Sequence, residues 1–188
     1  MSRYLGPKVK ITRRLGNLPG LTQKTTHKNN PPGEQGSKRS KPSAFAVRLQ
    51  EKQKIRYHYG LTEKQLQRYV KQSKKKSKNS PKNFNRNTGE LLLHLLQTRL
   101  DTAVYRLGFA PTIPAARQMV NHGHIKVNNK KIDIASYQCS EGEEIRVVKD
   151  IHGISGTSTS KTFSQSYTPD LTPEIKQLLI IEYYSNIK

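Results

Sequence analysis

The chain has 188 residues, with 34 Lys plus Arg against 13 Asp plus Glu, a formal net charge of +21, no Trp and only 32% hydrophobic residues. One or two small domains fit that length, and so little apolar material at such charge density argues against a large core and for a chain that orders in part on a polyanionic partner. The single cysteine, Cys139, excludes an intramolecular disulfide and a Cys-rich zinc site, which suits a reducing compartment. No apolar run approaches the ~18 residues of a membrane span. The start, M-S-R-Y-L-G-P-K-V-K, has neither a signal peptide's apolar core nor the Ser/Arg-rich presequence of an imported organelle protein, so the chain is expected to be made where it works.

The charge sits toward the N-terminus: residues 1–90 hold 23 basic and 4 acidic side chains, residues 91–188 hold 11 and 9. Residues 1–42 carry Arg3, Lys8, Lys10, Arg13, Arg14, Lys24, Lys28, Lys38, Arg39 and Lys41 with little hydrophobic periodicity. They are expected to form an extended arm. A solvated tail is the bland alternative; Tyr4, Leu5, Leu15, Leu18 and Leu21 between the charges favour an anchored, RNA-bound arm. Residues 43–60 read as a helix with Ser43 as N-cap and Gly60 as its stop, carrying Lys52, Lys54 and Arg56. Thr62 and Gln65 have capping-box spacing at the start of the next helix, whose apolar stripe is Leu66, Tyr69 and Val70. Tyr57, Tyr59 and Tyr69 read as core packing between helices, with base stacking as the alternative. Residues 71–87, basic and free of acids, read as a loop able to lie along phosphates, or as a solvated linker. Thr88 to Gln97 reads as a leucine-rich helix with Glu90 in its first turn.

Residues 99–131 read as two short helices and a hairpin. Leu100, Ala103, Val104 and Leu107 share one helical face and leave Arg99 and Arg106 on another side, and Gly108 ends the helix. Thr112 is placed to N-cap the second helix, Pro114 falls in its first turn, and Gly123 follows its end. Ile125 and Val127 alternate with Lys126, and Asn128-Asn129 can supply the positive φ values of a tight turn. Arg117, Gln118, His122, His124, Lys126, Lys130 and Lys131 are left as a polar, basic surface suited to a phosphate backbone. Residues 132–150 read as short strands around a turn at Glu141-Gly142-Glu143, with Ile145, Val147 and Val148 closing a small sheet and Cys139 half-buried in a strand. Residues 151–172 read as a loop, and Leu178 to Tyr184 is too apolar to be a free tail.

The R-L-D opening, the A-R-Q helix, the N-H-G-H-I hinge and the V-N turn closely resemble the small RNA-binding domain of the small-subunit ribosomal protein four family. One departure is Asn129, where the family usually has Gly. The strings S-R-Y-L-G-P-K-V-K-I-T-R-R-L-G-N-L-P-G-L-T, R-L-Q-E-K-Q-K-I-R-Y-H-Y-G-L-T-E-K-Q-L and I-E-Y-Y-S are similar to the same family, the first to its plastid and cyanobacterial members. The metal-binding cysteines of other bacterial members do not occur, so no metal or other cofactor is expected. The resemblance implies an α+β fold: a basic arm and helical domain over 1–97 with 151–188 packed back on it, and a small helix-helix-hairpin RNA-binding domain over 98–150. It implies a structural constituent of the small ribosomal subunit, a primary binder of the 5′ domain of small-subunit rRNA that nucleates assembly of the body and influences translational accuracy. The partners implied are that rRNA and neighbouring small-subunit ribosomal proteins, with no membrane and no small-molecule substrate, in a plastid or, as the alternative, a bacterial cytoplasm. The candidate RNA contacts are Arg3, Lys8, Lys10, Arg13, Arg14, Arg39 and Lys41 on the arm, Lys52, Lys54 and Arg56 on the first long helix, and Arg99, Arg106, Arg117, Gln118, His122, His124, Lys126, Asn128, Lys130 and Lys131 in the central motif.

Other chemistries are weaker. His122 and His124 lack the one-face spacing of helical metal-ligand pairs. The triplet at 99–101 also resembles the catalytic-aspartate motif of pseudouridine synthases, which often carry this binding domain. Here it lies inside the binding motif, in a chain too short and basic for a separate catalytic domain, so Asp101 is expected to orient a neighbouring Arg or to cap locally. No glycine-rich phosphate loop or G-x-S-x-G elbow occurs. Polybasic tracts also bind anionic lipid, but the capped helix pair with its polar hinge argues against a membrane surface.

Overall fold

The computed structural model describes residues 4–25, 27–28, 30–34, 41–79, 87–148, 160–164 and 175–185; Arg3 and Arg39 lie outside them. Among these described residues there are seven helices and one four-stranded antiparallel sheet, an α+β arrangement. The order is α1 (Lys8–Leu15), α2 (Ala44–His58), α3 (Glu63–Asn79), α4 (Thr88–Gln97), α5 (Leu100–Arg106), α6 (Ile113–Asn121), β1 (Ile125–Val127), β2 (Lys130–Lys131), β3 (Glu144–Val147), β4 (Ser160–Thr162) and α7 (Gln177–Ser185).

The capping signals act as read. The Ser43 hydroxyl accepts from Ala46 N at 3.2 Å. Thr62 N donates to Gln65 Oε1 at 3.2 Å while Gln65 N donates to Thr62 Oγ1 at 3.4 Å, a reciprocal box. Thr112 Oγ1 accepts from Ala115 N. Asn128 and Asn129 take φ of 47° and 67°, so both central residues of the β1–β2 turn are left-handed, as a two-residue hairpin of primed type requires.

Four expectations are corrected. The arm is not wholly extended: Ile11 and Leu15 lie one turn apart on α1 and, with Leu18 and Leu21, form a small buried cluster against Tyr57. Residues 71–79 are not a loop. They continue α3, because its buried line of Leu66 and Val70 is carried on by Ser73, fully buried with its hydroxyl on Val70 O at 2.9 Å. A serine on the inner face hides the periodicity that a hydrophobic residue would have displayed. Within 151–172, residues 160–162 form β4 and Phe163 is buried; all three strand residues are exposed, so no alternation announces them. Finally, residues 132–143 make turns and a lone bridge from Gln138 to Arg99 rather than strands, and Val148 is exposed.

The main core is continuous through α2–α7 and the sheet, with the α1 cluster separate from it. Leu66, Leu92, Leu96, Leu100, Ile113, Ile125, Ile145 and Ile180 are each at most 2% exposed within one cluster, and each such side chain contributes about 1.5–3 kcal/mol of burial. Cys139 belongs to it, and burial pushes its thiol up to about 12. Helix α7 lies across α2, α3 and α4. Glu182 accepts from Arg48 Nε at 2.8 Å, Tyr184 donates to Glu63 at 2.7 Å, and Lys176 N donates to Glu51 at 3.1 Å. No helix among the described residues is long and apolar enough to cross a membrane.

Candidate nucleic-acid interface

The central motif is held by a buried carboxylate. Asp101 has no exposure, and its two oxygens accept from Arg99 Nε and Nη2 at 3.0 and 2.7 Å, from Arg117 Nε and Nη2 at 3.0 and 2.7 Å, and from Thr102 N at 2.9 Å. Arg117 also donates from Nη1 to Gly60 O at 2.7 Å and from Nη2 to Tyr59 O at 2.9 Å, and Arg99 from Nη1 to the Tyr69 hydroxyl at 2.6 Å. Burial works against the Arg99 charge, but Asp101 and Tyr69 more than offset it, and its guanidinium is held above the ordinary value. The triad therefore ties α5 and α6 to the α2–α3 turn and to α3. Asp101 orients its arginines, as expected.

Three candidate contacts are turned toward protein partners by this packing. Arg99 is 3% exposed and Lys52 5%, and Arg117 spends its donors on Asp101 and two carbonyls. Lys52 lies 3.2 Å from Glu63 and over the Tyr183 ring. A paired buried cation is stable where a free one is not, so Arg99 and Lys52 lie behind the surface, while Arg117, half-buried, also lines the groove between the arm, α2 and α6. Arg106 is half-buried, and burial lowers its guanidinium from the ordinary value.

The other candidates divide between two exposed places. On the sheet, register sets Lys131 beside Lys126 and Lys126 beside Arg146, so three cations lie in a row across one face, about 4.8 Å apart from strand to strand. The opposite face carries Ile125, Val127 and Ile145 into the core. Cations directly opposite one another repel, and Arg146, whose Nη2 lies 3.0 Å from Glu144, also has a buried Nε with no partner among the described residues. Arg146 is the residue that the sequence reading missed; its signal was its place between inward Ile145 and Val147. Lys130 is exposed at the turn, where Asn128 accepts Glu144 N at 3.0 Å and so fixes the hairpin. His122 is exposed and His124 half-buried, with rings 5.8 Å apart. No group of three or more His, Cys, Asp or Glu fit for a metal occurs among the described residues.

The second place is a groove of about 830 Å³ between the arm, the end of α2 and α6. Tyr4, Leu5 and Lys8 form one wall, Arg56, Tyr57 and Gly60 another, and Gln118 and Asn121 the third. Tyr4 and Tyr57 pack edge to face at 5.3 Å, and Arg56 lies 5.1 Å over the Tyr57 ring. Lys10, Arg14 and Lys41 are exposed nearby in the chain, Lys54 is paired with Glu51 at 2.7 Å, and Arg13 donates to Asn30 O at 3.0 and 2.6 Å. Cations, donors and aromatic rings around an open groove are the parts from which backbone and base contacts are made.

A helix pair, the second capped by Thr112, followed by a basic hairpin, with a basic helical unit before it, defines an RNA-binding protein of the S4-domain class: the family model for the S4 domain matches residues 98–145 and that for the ribosomal protein S4/S9 N-terminal domain matches residues 3–97. Small ribosomal subunit protein uS4c of Guillardia theta is 47% identical over 205 aligned positions, covering 98% of each chain. That of Porphyra purpurea is 58% identical over 147 positions, covering 78% of this chain and 69% of its own, and uS4 of the cyanobacterium Trichormus variabilis is 56% identical over the same span. The chain belongs to the uS4 family of small ribosomal subunit proteins.

Proposed function

We propose that this chain is a structural, rRNA-binding constituent of the small ribosomal subunit, that it binds the 5′ domain of small-subunit rRNA as a primary binder, and that it thereby nucleates assembly of the body and, with neighbouring ribosomal proteins, contributes to translational accuracy. What supports this above all is that the two family matches together span residues 3–145 and carry the aromatic-basic groove and, of the basic sheet face, Lys126 and Lys131. Two units are proposed: 1–97 with 151–188 docked on it apart from β4, which pairs with β3 of the second unit, and 98–150. Cations supply affinity by neutralising phosphates, while the rigid α5–α6–β1–β2 unit supplies selectivity by fitting a folded junction. The reading assigns the chain no catalysis: Asp101, the one residue resembling a catalytic aspartate, is closed off by two arginines. The uS4c relatives favour a plastid ribosome and the cyanobacterial ones a bacterial ribosome; the plastid is the reading adopted. Nuclease footprinting on full-length small-subunit rRNA at about 0.3 M salt, where non-specific binding is suppressed, should show protection confined to one multi-helix junction in the 5′ domain. Diffuse protection would reduce the chain to a basic RNA-binding module.

A further inference from the structure

The solvent face of α3 carries a row of cations that neither the groove nor the sheet face uses. Lys64, Arg68, Lys71, Lys75 and Lys78 are all exposed, and spacings of four, three, four and three residues keep them within about 80° of arc on a helix that turns about 100° per residue. Leu66, Val70 and Ser73 occupy the opposite side, in the core. From first to last the row runs about 21 Å, one cation per turn. The helix's one acidic residue, Glu63, is committed to Lys52 and to the Tyr184 hydroxyl, and no carboxylate pairs with the five cations among the described residues. Like charges three and four residues apart oppose a helix, so the row persists only because the other face is packed, and it is built for an external anion.

The chemistry of the row narrows the kind of anion. The exposed positions of α3 are Lys, Arg and Gln only, and its single aromatic residue, Tyr69, is turned inward to Arg99 at 2.6 Å. A single strand is held largely by stacking on aromatic rings, and this face has none. A straight, stiff line of cations is matched by a stiff, regular line of phosphates, which a paired A-form helix presents and a single strand would have to order. We propose that the α3 row is a docking ridge for the backbone of double-stranded RNA, read by shape and charge without regard to base sequence. That this RNA is rRNA rests on the function proposed above; the preference for a duplex does not.

The test compares wild type with the combined variant Lys64→Gln, Arg68→Gln, Lys71→Gln, Lys75→Gln and Lys78→Gln on two probes, a perfectly paired RNA duplex of arbitrary sequence and oligouridine. Gln has the helix propensity of Lys and all five sites are exposed, so circular dichroism should be unchanged; a second variant with Arg at the four lysines keeps the charge and should bind as wild type. On the duplex, the log–log salt slope of the Gln variant should shrink by about 4, at roughly 0.7–0.9 for each phosphate no longer neutralised, and on oligouridine by less than half as much. An unchanged duplex slope, or equal losses on both probes, would overturn the ridge. So would displacement of the duplex by phosphatidylserine vesicles at equal phosphate, which would reassign the row to a lipid surface. A wild-type protein that binds duplex through the row yet gives no confined rRNA footprint would defeat the functional proposal alone, whereas a confined footprint with an unchanged duplex slope would defeat the ridge alone.

Discussion

Asp101 gathers two arginines that stand two and sixteen residues away in the chain. Sequence periodicity put Arg99 and Arg117 outside because cations are ordinarily outside; what turned them inward was a carboxylate with no exposure, which only the fold could supply. Removing one member of a buried ion pair leaves a charge unpaired, at about 3–5 kcal/mol. Asp101→Asn should lower unfolding stability by that amount in urea melts, and a change below about 1 kcal/mol would show that the triad tolerates neutralisation. His58 is a second buried case: 1% exposed, its Nδ1 without a partner among the described residues, and pushed by burial from 6.5 to about 3. The folded state keeps it neutral while the unfolded chain protonates below pH 6.5, so stability is complete above that value and is lost progressively as pH falls from 6.5 toward 3. From this group alone the protein should be about 2 kcal/mol less stable at pH 5 than at pH 7.5, and His58→Gln should remove that part of the pH dependence; identical pH profiles for the two proteins would refute the assignment.

Among the elements, those whose boundaries carry capping chemistry were legible: Ser43, the Thr62–Gln65 box and Thr112 each mark a helix start where the structure has one. The elements that were missed lacked an apolar signature. The C-terminal half of α3 turns Ser73 inward, β4 is exposed along its length, and the cluster built on α1 is closed partly by Tyr57, more than thirty residues away. Helix α7 depends on close approach: a Cβ on Gly89 would stand 2.7 Å from Cβ of Gln177, nearer than packed carbons come. Gly89→Ala gains helix propensity on α4 yet must push α7 outward, for a net loss of about 1–3 kcal/mol. Limited proteolysis should then cut near residues 177–185 faster than in wild type, and unchanged cleavage would show that the helices slide apart at no cost.

For the whole molecule the deciding quantity is a net charge of +21 on 188 residues. Self-repulsion of that size destabilises a compact state, and salt screens it. The free protein should melt at a higher temperature in about 0.3 M than in about 0.05 M salt, while its affinity for RNA falls over the same range; a melting temperature that drops with salt would mean that the surface ion pairs outweigh the repulsion. The sequence by itself determined the α+β class, the order of the capped helices, the hairpin with its two left-handed asparagines and the polyanionic partner, because caps, turns and net charge act over a few residues or over none in particular. It also determined the family, through motifs long enough to be specific. Only the tertiary structure decided which cations face water. Arg99, Lys52 and Arg117 went inward to Asp101, Glu63 and two carbonyls, while Lys126 and Arg146 were set side by side by strand register. Those choices depend on groups distant in sequence that meet only when the core closes, and no local pattern encodes them.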